Sequence, residues 1–166
     1  TLGGISGANK KCTDLAKMDG AFAYNQDLKF RAWLSTQDPN KSPSNWLNST
    51  VPYVLPDRKT IIAQDHESLL SGIIKNAISL TEKAELTHPK CYDDNIEVSC
   101  RTWTNTSSDG KSYNGADCGN WNTPPPFGTG NIGDPNATDQ SWTYMKETFS
   151  FCGQEWPIYC FEHPPL

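Results

Sequence analysis

Three histidines are the side chains best suited to acid–base chemistry in this sequence, and none of them stands in a catalytic motif. His66 lies in an Asp-His-Glu triplet, His88 precedes a proline, and His163 follows a glutamate. The triplet is not the His-Glu-x-x-His pattern of zinc proteases, and the sequence has no Gly-x-Ser-x-Gly elbow and no phosphate-binding P-loop. A Ser/His/Asp triad can be built from distant residues, but no motif here supports one. We therefore expect a protein that is not an enzyme, with its histidines at the surface or at helix caps.

Carboxylate and amide oxygens, the ligands that Ca²⁺ prefers, are concentrated in two loop segments. The first segment contains Asp93, Asp94 and Asn95, and the second contains Asp134, Asn136 and Asp139. Asp and Asn in loops also stabilise turns through their own side chains, and the Glu-Pro-Asn and Gln-Pro-Asp triplets of sugar-binding C-type lectins do not occur. We expect no metal and no other cofactor. A calcium-dependent, carbohydrate-binding domain is the alternative.

Six cysteines are spread along the chain, at positions 12, 91, 100, 118, 152 and 160. Their even number and wide spacing are typical of disulfides formed in an oxidising compartment. No Cys-x-x-Cys pair occurs, which argues against a zinc ribbon and against a thioredoxin-type redox site. Six buried thiols are the alternative, and the spacing alone does not fix which cysteines pair.

The net charge of −5 is carried by the C-terminal half of the chain. Residues 91–166 contain 3 Lys/Arg and 10 Asp/Glu, whereas residues 1–90 contain 11 and 9. An acidic surface repels phosphate groups. This charge therefore argues against nucleic acid and anionic membranes as partners. A cationic patch on a partner protein fits this charge better.

The elements that must position these groups are predicted from hydrophobic spacing. A helix from Ser6, its candidate N-cap, to Gly20 places Cys12 and Leu15 on its buried face. A second helix is predicted after a capping Asp65, although Gly72 weakens it. Strands are predicted over Lys29–Thr36, Val51–Leu55 and Thr60–Ala63.

The C-terminal half is predicted to be rich in loops and tryptophans. A stretch of Gly, Asn, Pro and Asp over 115–140 indicates a long loop, and Trp156–Phe161 predicts a central strand with two apolar faces. Trp46 follows a Pro/Ser loop, so we expect it to be exposed and able to act as a protein-binding hot spot. The other tryptophans are expected in the core: Trp33, Trp103, Trp121, Trp142 and Trp156.

Three segments resemble endostatin, the C-terminal domain of collagens XV and XVIII. They are "GGISGANKKCTDLAKMDG…FRAWLST", "TWTNTSSDGKSYNGADCGNW" and "FCGQEWPIYCFEH". The resemblance implies one domain over residues 1–166, an α+β, C-type-lectin-like fold with one or two helices, mixed strands and long loops. It also implies three disulfides, with Cys12 paired to Cys160, Cys118 to Cys152, and Cys91 to Cys100 as a local loop.

"SGANKKC", "PIYCFE" and the extra cysteine pair are similar to the endostatin-like surface lipoproteins of leptospires. That resemblance implies an adhesin-like virulence protein on the bacterial outer-membrane surface, held by an N-terminal lipid anchor absent from this chain. It further implies binding to host extracellular-matrix and plasma proteins: laminin, fibronectin, plasminogen, fibrinogen and complement factor H. Two features of endostatin are missing, because no histidine precedes His66 to build its zinc site and only three arginines are present to bind heparan sulfate.

We therefore expect a monomeric, surface-displayed domain that binds host proteins without catalysis. The expected contacts are the long loop between Trp121 and Trp142 and, secondarily, the loop that carries Trp46. The candidate ligand-binding residues are Trp46, Lys41, Asp134, Asn136 and Asp139.

Overall fold

The computed structural model describes residues 1–18, 29–86, 91–93, 96–98, 100–113, 116–122 and 128–163. These residues form a mixed α+β arrangement of short elements, as predicted at that level. The helices are α1 (Gly4–Ala16), α2 (His66–Leu69) and α3 (Cys118–Trp121), with 3₁₀ turns at Pro39–Lys41, Pro43–Asn45 and Gln140–Trp142. The strands are β1 (Lys29–Ala32), β2 (Tyr53–Val54), β3 (Ile61–Ala63), β4 (Cys91–Asp93), β5 (Ile96–Val98), β6 (Thr102–Trp103), β7 (Thr129–Gly133), β8 (Phe149–Phe151) and β9 (Cys160–His163).

Helix α1 lies against β1 through small side chains. Ala8, Cys12 and Ala16 are buried, while Leu15 is 39% exposed, so its predicted place on the buried face is wrong. The predicted Ser6 cap is also wrong, because the helix begins at Gly4 without a side-chain cap. The side-chain oxygen of Asn9 accepts a hydrogen bond from the Ala32 amide at 2.8 Å, which fixes α1 on the strand. The helix ends at Ala16, with Lys17 as its C-cap, so the predicted end at Gly20 is wrong.

Strands β1 and β9 pair antiparallel, with Ala32 opposite Cys160. Strand β1 ends at Ala32, earlier than the predicted Thr36, because a tight turn follows in which the Leu34 amide donates to the Ala32 carbonyl at 2.8 Å. The Cys12–Cys160 disulfide joins α1 to β9, and the Cys118–Cys152 disulfide joins α3 to the end of β8. Both bridges confirm the predicted pairing. The third predicted pair, Cys91 with Cys100, involves a side chain outside the described residues and stays a prediction.

The segment before β9 is bonded on both sides, although it is not the continuous central strand predicted over Trp156–Phe161. The Tyr159 carbonyl accepts a hydrogen bond from the Trp33 amide, and the Pro157 carbonyl accepts one from the Trp103 amide, each at 2.9 Å. Regular pairing begins only at Cys160, since Pro157 has no amide hydrogen to continue a ladder. The segment therefore connects the β1–β9 pair to the second sheet.

That second sheet has the order β6-β7-β8 and is antiparallel throughout. Strand β7 lies inside the stretch 115–140 that was predicted to be a loop, so that prediction is wrong over Thr129–Gly133. Its glycines allow close packing: a Cβ on Gly130 would lie 2.7 Å from the Trp103 ring, and one on Gly133 would lie 2.1 Å from a backbone oxygen of Trp142.

The middle of the chain forms a hairpin and one helical turn. Strands β2 and β3 are shorter than predicted, and Asp57 closes the turn between them by accepting the amide hydrogens of Lys59 and Thr60. Asp65 caps α2 as predicted by accepting from the Ser68 amide. The helix ends at Leu69, because Gly72 takes a positive φ of 77° and turns the chain.

Tryptophans dominate both parts of the core. Trp33, Trp103, Trp121 and Trp142 are at most 5% exposed, as predicted, whereas Trp156 is half-buried. Buried indole N–H groups need acceptors, and each of three has one at 2.7–3.1 Å: Thr143 Oγ1 for Trp33, the Ser35 carbonyl for Trp121 and the Gly72 carbonyl for Trp142. These bonds tie the loops to a fixed core.

Candidate functional site

Two of the three histidines are buried, which corrects the surface part of the prediction that they lie at the surface or at helix caps; His66 is the first residue of α2, directly after its cap Asp65. His66 is 1% exposed and His163 is 5% exposed, and the Trp46 ring lies 6.3 Å from each imidazole between centroids. Neither ring nitrogen of His66 has a hydrogen-bond partner. Burial lowers the pKa of His66, and the neighbouring His163 lowers it further; the Pro43 carbonyl, which is near the ring but does not meet hydrogen-bond geometry, and Asp65 act in the opposite direction. His66 is therefore a neutral core residue without access to a substrate. His88 lies outside the described residues.

Trp46 is half-buried and not fully exposed as predicted, and its role as a protein-binding hot spot stays a prediction. Its ring packs edge-on against Trp33 at 5.5 Å and against Phe161 at 6.2 Å. The two short 3₁₀ turns that precede it hold the chain close to α1 and β1. Because the ring is anchored on its inner side, only its outer part is available to a ligand.

Trp46 and Lys41 line one small cleft of about 170 Å³, so the structure brings these two predicted residues together. We call it the basic cleft. Lys41 is exposed and lies 3.5 Å from the carboxylate of Asp38. The remaining lining comes from α1, β1 and the 3₁₀ turns: Ile5, Asn9, Arg31, Ala32, Leu34, Asn40, Ser42 and Asn45.

The predicted acidic residues of the loop after β7 are engaged in turns. Asp134 accepts a hydrogen bond from the Asn136 amide at 2.9 Å, and Asp139 accepts from the amide and the hydroxyl of Ser141. The hydrogen bonds from Ser141 lower the pKa of Asp139. In the part of the chain that the structure describes, no group of three His, Cys, Asp or Glu side chains is placed to hold a metal ion. The loop residues are not brought to the basic cleft, whose lining contains none of them.

Strand β8 carries an exposed aromatic pair that sequence reasoning missed. Phe149 is 57% exposed and Phe151 is 62% exposed, and the alternation of a strand puts both on one face. Ser150 between them is buried on the other face, where its hydroxyl accepts from the Trp156 indole at 2.8 Å. Among the described strands, β8 pairs only with β7, so its outer edge has no partner strand. The Phe-Ser-Phe alternation directly before Cys152 is the signal that could have indicated this surface.

A larger cleft of about 440 Å³ lies on the opposite face of β8, around Trp156. The Cys118–Cys152 disulfide and the edges of Trp103 and Trp121 line it. The Arg101 guanidinium lies 5.5 Å from the centre of the Trp156 ring, in the range of a cation–π contact. The Trp156–Ser150 hydrogen bond and the Cys118–Cys152 disulfide restrain β8 on the side away from the two phenylalanines.

Comparison with known proteins adds no family to this description: no protein-family model matches the chain, and no curated protein matches it significantly. Of the helices in the described ranges, none combines the length and the apolar character that crossing a bilayer requires.

Proposed function

We propose that this chain is an extracellular protein-binding domain whose main contact surface is the outer face of β8. The observation that carries the proposal is the exposed pair Phe149 and Phe151. Large aromatic side chains on rigid elements are the usual anchors of protein interfaces. Burying one phenylalanine against a partner stabilises a complex by roughly 1.5–3 kcal/mol, so the pair supplies a useful part of a binding free energy.

The edge position of β8 gives a second means of attachment. Its outer backbone amides and carbonyls can pair with an extended segment of a partner, as in β-strand addition. The acidic C-terminal half, with 3 basic and 10 acidic residues over 91–166, favours a partner with a cationic patch. Binding here depends on complementary surfaces and involves no catalytic step.

We also propose an endostatin-like fold for the domain and its display on a bacterial outer membrane. An endostatin-like, C-type-lectin-like fold is supported by the bridge Cys12–Cys160, which encloses the bridge Cys118–Cys152 as the resemblance implies. Disulfides persist in oxidising compartments, which suits display on an outer-membrane surface through a lipid anchor. The proposed partners are the host proteins that the resemblance implies: laminin, fibronectin, plasminogen, fibrinogen and factor H.

Binding of the purified domain to these immobilised host proteins, at physiological salt, tests the proposal. We expect Phe149→Ser combined with Phe151→Ser to weaken binding about a hundredfold or more, because each lost aromatic anchor costs roughly 1.5–3 kcal/mol and about 1.4 kcal/mol corresponds to a factor of ten. Ile73→Ser is the matched control, since Ile73 is 65% exposed and lies outside β8. Equal binding by the double variant and the wild type would contradict the site. Binding that EDTA abolishes would favour the calcium-dependent carbohydrate-binding alternative.

A further inference from the structure

Among the described residues that line the basic cleft, the polar side chains are cationic, amide or hydroxyl groups, and none is a carboxylate. Arg31 and Lys41 supply the charge, and Asn9, Asn40 and Asn45 supply amides. Among the described residues, Arg31 takes part in no ion pair, and Lys41 has only the exposed contact of 3.5 Å with Asp38. An ion pair of that length at a surface contributes little. Both cations are therefore available to a ligand.

Ser42 provides an independent sign of a missing partner in the same place. Ser42 lines the cleft, its side chain is 1% exposed, and its hydroxyl has no hydrogen-bond partner. A buried hydroxyl without a partner costs free energy, and native structures contain few of them. The hydroxyl oxygen is closed off from solvent, so an acceptor oxygen in the cleft would satisfy it once the Ser42 side chain rotates toward the cleft.

The other residues that line the cleft, and its volume, limit the chemistry and the size of a ligand that fits. Asn9 already uses its carbonyl oxygen to accept from the Ala32 amide, so its NH₂ group is the part left to donate. Trp46, Ile5 and Leu34 form an apolar wall. The volume of about 170 Å³ is below the roughly 300–1,000 Å³ of pockets for drug-sized ligands. The space suits a group the size of one side chain.

We propose that the basic cleft binds a carboxylate on a short apolar stem, such as an acidic side chain of a partner polypeptide or a small free carboxylic acid. Arg31 and Lys41 pair with the carboxylate oxygens, the Asn9 amide and the Ser42 hydroxyl donate to them, and the stem lies against Trp46. The site is separate from the β8 face and goes beyond the function proposed above.

Nuclear magnetic resonance titration of the folded domain tests this site, with the Trp46 indole N–H and the backbone amides of 40–46 as reporters. The probes are propanoate, with propanamide as its uncharged control, and the blocked tripeptide Gly-Glu-Gly, with Gly-Gln-Gly as its control. We expect saturable shifts with the two carboxylates and none with the amides. Tighter binding of the tripeptide identifies an acidic side chain as the ligand, and tighter binding of propanoate identifies a free acid.

Lys41→Gln and Arg31→Gln should each weaken carboxylate binding about tenfold, because each removes a charge-assisted hydrogen bond. Lys75→Gln should leave it unchanged, since Lys75 is an exposed lysine that does not line the cleft. Lys41 lies on an exposed turn, so its variant carries the test if the Arg31 variant does not fold. Shifts of equal size with the amide probes, with sulfate at the same ionic strength, or in the Lys41 variant would overturn the proposal.

Discussion

At the scale of the residue, the imidazole of His66 is placed where a positive charge is costly. It lies in an aromatic cluster with Trp46 and beside a second buried histidine, His163. Burial is the main cause of its lowered pKa. The neutral imidazole is consequently part of the folded core. Protonating it would place a positive charge beside Trp46, which also lines the basic cleft.

Stability should therefore fall in mild acid. The unfolded chain takes up a proton on His66 as the pH drops below the ordinary value of 6.5, whereas the folded chain resists it because the folded pKa is lower. The unfolded state then binds more protons, so unfolding becomes easier down to the folded pKa. Urea midpoints at about pH 7.5 and about pH 5 measure this. We expect His66→Phe to reduce the difference between the two midpoints, and an unchanged difference would show that other groups cause it.

The exposure of single residues was the least predictable property of this sequence. Trp46 and the histidines were assigned to the surface because they adjoin Pro, Ser, Asp and Glu, yet Trp33 and Phe161, distant along the chain, pack against Trp46. Phe149 and Phe151 show the opposite case: the Phe-Ser-Phe alternation indicates that the two rings share one face of a strand, but it does not tell whether that face is covered. Burial depends on which distant elements cover a residue, and spacing along the chain does not specify that.

At the scale of the element, local chemistry predicted the cap of α2 and the turn between β2 and β3, but not the start of α1. Asp65 caps α2 and the turn after Leu55 is closed by Asp57, as their short side chains allow. Strand β7 was missed because Thr-Gly-Asn-Ile-Gly has few residues that favour strands. It is a strand because Trp103 and Trp142 pack against its glycines, which is tertiary information.

Gly133→Ala should destabilise β7 more than an ordinary surface substitution would. The added Cβ would lie 2.1 Å from the backbone oxygen of Trp142, and backbone cannot rotate away as a side chain can. Overpacking of this kind costs about 1–3 kcal/mol. Thermal unfolding measures the loss, with Gly153→Ala as the comparison because Gly153 is exposed and does not have a positive φ. A melting temperature for Gly133→Ala equal to that of the wild type would contradict the packing described for β7.

At the scale of the whole molecule, the two described disulfides hold a chain of short elements. Cys12–Cys160 spans 148 residues of sequence and Cys118–Cys152 spans 34. Their pairing was predicted from the resemblance to endostatin, since cysteine spacing alone left it open. The longer bridge restrains nearly the whole unfolded chain, and the shorter one fixes the end of β8 beside the Trp156 cleft.

Replacing each bridge by two serines should separate these roles. In the chain-entropy account, loss of Cys12–Cys160 costs about 5 kcal/mol and loss of Cys118–Cys152 about 4 kcal/mol, against a typical domain stability of about 5–15 kcal/mol. We expect the Cys118→Ser, Cys152→Ser variant to remain folded but to bind host proteins more weakly, since β8 is then released at one end. Urea unfolding and the binding assay measure the two effects. Undiminished binding by this folded variant would show that rigidity of β8 is unimportant.

The central claim is that the outer face of β8 is the surface that binds a partner protein. Hydrogen–deuterium exchange of the domain, free and in complex with whichever host protein binds it, tests this claim most directly. The account predicts slower exchange in the complex over Phe149–Phe151, with exchange over 134–139 unchanged. Protection confined to 134–139 or to the loop around Trp46, with none in β8, would contradict it.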